Sequence, residues 1–94
     1  MNSTDMARQV QEAQRLLQIG HAGHAVVMAV RDTGVTVNDN PEAELELCVA
    51  LAGQEPYKVT HRQVISRIAI GGFLPGAKVP VRVDPLDPHN VLVA

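Results

Sequence analysis

The sequence predicts a mainly β fold (α+β by its single helix), in which an N-terminal helix precedes a small antiparallel barrel of five or six strands. Apolar residues follow a helical period before Gly20 and alternate after it. The alternating segments recur about every eight to twelve residues, and Gly, Pro, Asn and Asp fill the turns between them. No linker or repeat divides the 94 residues. We therefore expect one domain over residues 1–94, with the helix in residues 1–20 and the barrel in residues 22–94.

The first element is predicted to be an amphipathic helix that ends at Gly20, since glycine commonly stops helices. Its apolar residues recur at spacings of four, three and four positions, which places them on one face. These residues are Met6, Val10, Ala13 and Leu17. We expect this face to be covered by the domain's own barrel or, alternatively, by a second copy or another protein.

The predicted strands lie in HAVVMAVRD, EAELELCVALAG, YKVTHRQVI, AKVPVRVDP and VLVA, with a short VTV after the first. The first strand is apolar on both faces, and the helix is the expected cover of its second face. The second strand has one buried face and one wet, acidic face. Pro80 predicts an edge or a bulge, because proline donates no ladder hydrogen bond. DPLDPHN is expected to be a tight turn, and SRIAIGGFLPG fits a short strand or one helical turn.

Composition argues against several classes of protein. The chain has eight basic and ten acidic residues, no basic run, one Tyr, one Phe and no Trp. Nucleic-acid binding needs a basic surface, and single-strand binding also needs aromatic platforms, so we expect no nucleic-acid partner. The longest apolar run, AVVMAV, is too short to cross a bilayer. Because no signal-peptide pattern is present either, we expect a cytoplasmic protein without direct membrane insertion.

The stretch RDTGVTVNDNP contains Asp-Thr-Gly, the tripeptide of aspartic proteases. In those enzymes two carboxylates share one proton. Arg31 would hold Asp32 ionised and oppose this sharing, so we expect no catalytic residue here. Asp, Thr and Gly are also typical of a turn between two strands, which is the interpretation we favour. The polar residues of this stretch then form a possible contact loop: Asp32, Asn38, Asp39 and Asn40.

The sequence contains residues of types that can bind metal ions, but their spacing is not that of a known metal site. The NDNP segment lacks the ligand spacing of a calcium loop. His21, His24 and Cys48 lack the further Cys or His pair that is typical of zinc sites. Asp84 and Asp87 each precede a proline, which is typical of turns. We therefore expect neither a metal nor a cofactor.

Four motifs follow one another along the chain: VRDTGVTVNDNP, LxLxV, PYxV and LPGAKVPVRVDPLDPxxV. In this order they resemble a family of small, mostly actinobacterial proteins of uncharacterised function, whose module also occurs with a SHOCT (short C-terminal) domain. The closing glycine turn, VxV strand and DPxDP also resemble a family of bacterial membrane-associated domains. The first resemblance extends from Leu16 onward and implies a compact barrel, OB-like or SH3-like in shape. It implies no reaction, substrate or catalytic residue.

These observations predict a non-enzymatic module for protein interaction or self-association, with a homodimer through the N-terminal helix as its specific form. The alternative is a barrel that binds a small ligand or an ion. A pocket lined by Asp32, Asn38, Asp39 or the histidines would favour that alternative. Exposure of all these residues on a closed apolar barrel would disfavour it.

Overall fold

The computed structural model describes residues 3–93, with side chains for residues 7, 8 and 10–93. Within that range one α-helix and five strands are joined by short turns and one longer connection. The elements are α1 (Ser3–Ile19), β1 (His21–Val37), β2 (Asn40–Ala50), β3 (Tyr57–Val64), a 3₁₀ turn (Ile70–Phe73), β4 (Lys78–Asp84) and β5 (Asp87–Val93). The protein is therefore mainly β with a single helix, as its periodicity predicts.

The strands form one antiparallel sheet in the order β3-β2-β1-β4-β5. Three hairpin-linked strands and a fourth that returns beside the first make a Greek key. The long strand β1 pairs with two neighbouring strands: residues 24–37 pair with β2 and residues 21–26 pair with β4. The sheet curls until its outer strands, β3 and β5, approach one another. The result is a nearly closed five-stranded barrel, which matches the OB-like form of the prediction.

The barrel interior is aliphatic. Alternation directs every second side chain of a strand inward, and on β2 these side chains are Leu45 and Leu47, which are completely buried. Burial of one leucine side chain contributes about 1.5–3 kcal/mol. The intervening Glu44 and Glu46 lie on the outer face, where they are at least partly exposed. The predicted acidic side of this strand is thereby confirmed.

The Asp-Thr-Gly motif forms a bulge inside β1. The prediction of a turn between two strands at this motif is wrong. Asp32 pairs with Ala43 and Thr36 pairs with Pro41. Four steps along β1 therefore match two steps along β2, which leaves two extra residues on β1. Gly34 has a φ of 85°, a conformation that suits glycine, and its N–H donates to Asp32 Oδ1 at 2.7 Å. The bulge redirects the strand without ending it.

The turn between β1 and β2 lies a few residues further on, at Asn38-Asp39. Both residues have positive φ, 51° and 65°. Two central residues with positive φ are the mark of a type I′ hairpin turn, for which Asn and Asp are preferred. The polar NDN segment is thus explained by hairpin geometry.

Two expectations about the C-terminal half need correction. The tight turn comprises only Pro85 and Leu86, since β5 already begins at Asp87. β4 is not an edge strand, because it lies between β1 and β5. Pro80 is tolerated because no described ladder bond needs its nitrogen. Ala77 O accepts from the Val27 N–H, so by alternation the Pro80 nitrogen faces away from β1. On its other side, the described pairing with β5 begins only at Val81.

The helix does not cover the outer face of β1, contrary to expectation. α1 packs against β4 and β5 through the buried Leu16. Met28, on the outer face of β1, is 54% exposed. The cause is the short link after the helix: β1 begins at His21, which pairs with Val83 at the end of β4. This link holds the helix beside β4.

Candidate functional site

The seam between β3 and β5 is where the barrel fails to close, and its two ends differ. At one end, which we call the closed end, the Tyr57 hydroxyl donates to Pro88 O at 2.8 Å. The Tyr57 ring also meets His89 edge-on, with ring centroids 6.0 Å apart. Burial, and after it the charge of Asp87, raise the pKa of Tyr57, so the hydroxyl keeps its proton and remains a donor.

At the other end of the seam, which we call the open end, lies a cavity of about 690 Å³. It is lined by residues 61–64 of β3, residues 35–37 of β1, Glu42 and Leu92. Three smaller cavities of about 320, 300 and 340 Å³ lie along β1, β2 and β3 and are lined mainly by outer-face residues. The mouth of a barrel is a common place for ligands, so the open end is the candidate site.

His61 and Gln63 are the polar side chains that β3 directs toward the interior at the open end. His61 Nε2 lies 2.8 Å from Gln63 Oε1. Burial lowers the pKa of His61, although the hydrogen bond with Gln63 opposes this shift. The imidazole is therefore neutral at pH 7 and donates its Nε2 proton to the amide oxygen. Sequence reasoning missed this pair, although its i, i+2 spacing on one strand face was a usable signal.

The outer face of the sheet carries a cross-strand ionic group. Arg31 on β1 and Arg62 on β3 both reach Glu44 on β2, the latter at 3.5 Å. Beside them, Thr33 Oγ1 donates to Glu42 Oε1 at 2.9 Å. Exposed ion pairs of this kind stabilise little, on the order of 0.5 kcal/mol each. They connect the three strands on the outer face of the sheet.

The residues of the predicted polar loop have two different structural roles. Asp32 is exposed and accepts from the Gly34 N–H in the bulge. Asp39 O accepts from Arg67 Nε at 2.6 Å, and Asn40 Oδ1 accepts from the Arg67 N–H at 3.4 Å. The hairpin tip thus fastens the connection that follows β3. Asp32 lines the outer-face cavity of about 340 Å³ with Thr33 and Arg62. Neither Asp32 nor the Asn38-Asp39 turn lines the open-end cavity.

The predicted apolar stripe of the helix is largely uncovered. Val10 is 56% exposed and Leu17 49% exposed, whereas Ala13 is half-buried. The Met6 side chain lies outside the described part of the chain. The helix docks through the neighbouring face that carries Leu16.

An ionic cluster that sequence reasoning missed fixes the helix to the β4–β5 hairpin. Arg15 Nη2 donates to Asp84 Oδ2 and to Glu12 Oε1, each at 2.6 Å. Asn90 Nδ2 donates to the same two oxygens, at 3.1 Å and 2.9 Å. Asp84 is only 7% exposed. The Leu86 N–H and then the Arg15 guanidinium hold the pKa of Asp84 at about 2, so this carboxylate is ionised.

The histidines and the cysteine named as metal ligands are not assembled. His21 and His24 are exposed on β1, and Cys48 lies on the outer face of β2. The part of the chain with described side chains holds no group of three His, Cys, Asp or Glu residues placed to bind a metal ion. Over residues 3–93, no helix combines the length and the apolar character that crossing a membrane requires.

Comparisons with protein-family models, with curated proteins and with solved structures gave no match. The resemblance to the actinobacterial barrel family stays a prediction from its motifs.

Proposed function

We propose that the protein is a non-enzymatic interaction module whose helix associates with the helix of a second copy. The observation that carries this proposal is the uncovered stripe on α1. Val10 and Leu17 are about half exposed, although the same helix is firmly held through Leu16 and Arg15. An apolar stripe on a fixed helix is typical of a contact surface.

The dimer is expected to be weak. A helix of 17 residues is about 25 Å long, so one helix pair provides a small interface. Interfaces below the standard size belong to transient complexes, and we expect a dissociation constant on the order of 10 µM. The barrel then acts as the scaffold that presents the helix.

The test is light scattering after size exclusion over a range of protein concentrations. The wild type should shift from monomer to dimer, whereas the double variant Val10→Glu, Leu17→Glu should stay monomeric with an unchanged circular dichroism spectrum. Glutamate is a good helix former, so the fold should persist. Gln11→Glu is the matched control, because Gln11 is exposed on another helix face. A wild type that is monomeric throughout, or a double variant that unfolds, would sink the proposal.

The alternative, a barrel that binds a small ligand or an ion, is supported mainly by the open-end cavity, and Asp32 also lines a smaller cavity on the outer face. His61 lines the open-end cavity, and its neutral imidazole and the Gln63 amide offer hydrogen-bonding groups there. Small molecules screened by NMR should then perturb the ring resonances of His61 and leave those of His21 unchanged. Screening without any such perturbation would count against this candidate.

A further inference from the structure

The open-end cavity lies along the edge of β3. Four consecutive residues, 61–64, line it. Successive side chains of a strand point to opposite faces, so no single face presents four in a row. Because residues from both faces of β3 and Leu92 of β5 line it, the cavity reaches the edge of β3 that faces β5. β5 borders the cavity on the other side through Leu92.

The alternation of hydrogen-bonded residues along β3 shows which of its backbone groups face this cavity. The Ile65 N–H donates to Pro41 O at 2.9 Å, and the β2–β3 pairing continues this register back to Tyr57. Residues that bond to the partner strand alternate with residues whose N–H and C=O point away. Arg62 and Val64 therefore direct their backbone groups away from β2 and into the seam. In the described sheet, β5 forms no ladder with β3.

We propose that the open end binds an extended peptide segment of a partner protein, which adds as a strand to β3 at Arg62–Val64. Backbone donors and acceptors of an edge strand are matched by another extended backbone. The peptide pairs antiparallel with β3 alone, and its other edge faces the cavity and Leu92 of β5. The inference rests on the proposed function as an interaction module, but it uses the barrel and not the helix.

The residues that line the cavity indicate which peptide side chains would fit there. Val35, Val37, Val64 and Leu92 give the cavity aliphatic walls. Val35 is 49% exposed and Val64 40% exposed, so apolar surface remains to be covered. Arg62 at the rim contacts Glu44 through Nε and Nη2, each at 3.5 Å, whereas Glu42, which also lines the cavity, accepts from Thr33 Oγ1 at 2.9 Å. We expect a segment of alternating small aliphatic residues with an acidic residue beside it.

The experiment selects displayed random linear peptides of about twelve residues on the immobilised full chain and measures one selected peptide by fluorescence anisotropy. Val64→Pro removes an N–H that faces the seam and no ladder bond, so it should weaken binding at least about tenfold. Val64→Thr, which keeps the N–H, should stay within about threefold of the wild type. Val35→Lys, a substitution at an exposed position, should also weaken binding about tenfold and covers the case in which the proline variant fails to fold.

N-methylation of the peptide tests the strand geometry. Methyl groups on the alternate amides that face β3 should abolish binding, whereas methyl groups on the intervening amides should not. No enriched peptide, equal loss for both methylation patterns, or a proline variant that is folded and binds normally would each overturn the inference. Peptide binding should persist in the Val10→Glu, Leu17→Glu variant, and the seam variants should dimerise normally, so failure here is separable from failure of the proposed dimer.

Discussion

The two ends of the β3–β5 seam are built from the same strands but differ in how their polar groups are used. At the closed end, Tyr57 bridges to Pro88, and Arg15 and Asp84 lock the helix onto the adjoining hairpin. At the open end, His61 and Gln63 satisfy one another, while the backbone edge of β3 faces a cavity. The comparison indicates that the closed end contributes stability, and we propose that the open end binds a partner. Each prediction below tests this division.

The largest expected effect is on the core that supports both ends. Leu45 is completely buried and pairs across the ladder with His61. Leu45→Ala should lower the free energy of unfolding by about 2–5 kcal/mol, because it removes buried methylene groups and leaves a cavity. Urea titration measures this loss. Met28→Ala is the control on the exposed outer face and should change stability by less than about 0.5 kcal/mol. Equal losses for the two variants would contradict the described core.

The next effect concerns the closed end alone. Asp84→Asn should lower the melting temperature on the order of 5 °C, since it weakens the charge-assisted bond to Arg15. Amide exchange in α1 should accelerate in parallel. Asp87→Asn is the matched control, because this exposed aspartate also precedes a proline and, among the described residues, accepts only from the His89 N–H. If the control variant melted as early as Asp84→Asn, the anchor would not be the source of the effect.

The pH dependence of the closed end follows from the same carboxylate. The folded-state pKa of Asp84 is about 2, below its ordinary value of 3.8, because the Leu86 N–H and Arg15 stabilise the ionised form. Its contribution to stability is therefore complete above about pH 4 and is lost as the pH falls toward 2. Acid titration followed by circular dichroism should show a shallower loss in Asp84→Asn than in the wild type. Parallel curves would contradict the assignment.

The smallest effect belongs to the open end. Burial lowers the pKa of His61 below its ordinary value of 6.5, so the unfolded chain takes up the proton first as the pH falls. Stability from this group is present above about pH 6.5 and declines below it. The urea midpoint of the wild type should fall between about pH 7.5 and pH 5.5, and His61→Gln should reduce that fall. A fall of the same size in His61→Gln and in the wild type would contradict this assignment.

The local elements were predictable because their causes are local. The alternation around Leu45 and Leu47 and the glycine after the helix identify β2 and the end of α1. The Asn38-Asp39 turn follows from residues that tolerate positive φ. The Asp-Thr-Gly bulge was not predictable, because the same residue types favour a turn that ends a strand and a bulge within a continuous strand.

Most of the candidate site could not be predicted from the sequence, because it depends on contacts between residues that are far apart in the chain. Arg15 and Asp84 are separated by 69 positions, and nothing local indicates that they meet. The seam exists because β4 returns beside β1 and leaves β3 and β5 as facing edges. His61 was visible as a histidine, but its place at the open end follows only from the closure of the sheet.

The most direct test of the account is residue-resolved amide hydrogen exchange on β3, measured by NMR with and without a selected peptide. In the protein alone, the Arg62 and Val64 amides should exchange rapidly, whereas the His61 and Gln63 amides, bonded to β2, should be protected. Addition of the peptide should slow Arg62 and Val64 selectively. Equal protection of all four amides in the protein alone, or no slowing with the peptide, would contradict an edge of β3 that is available for strand addition.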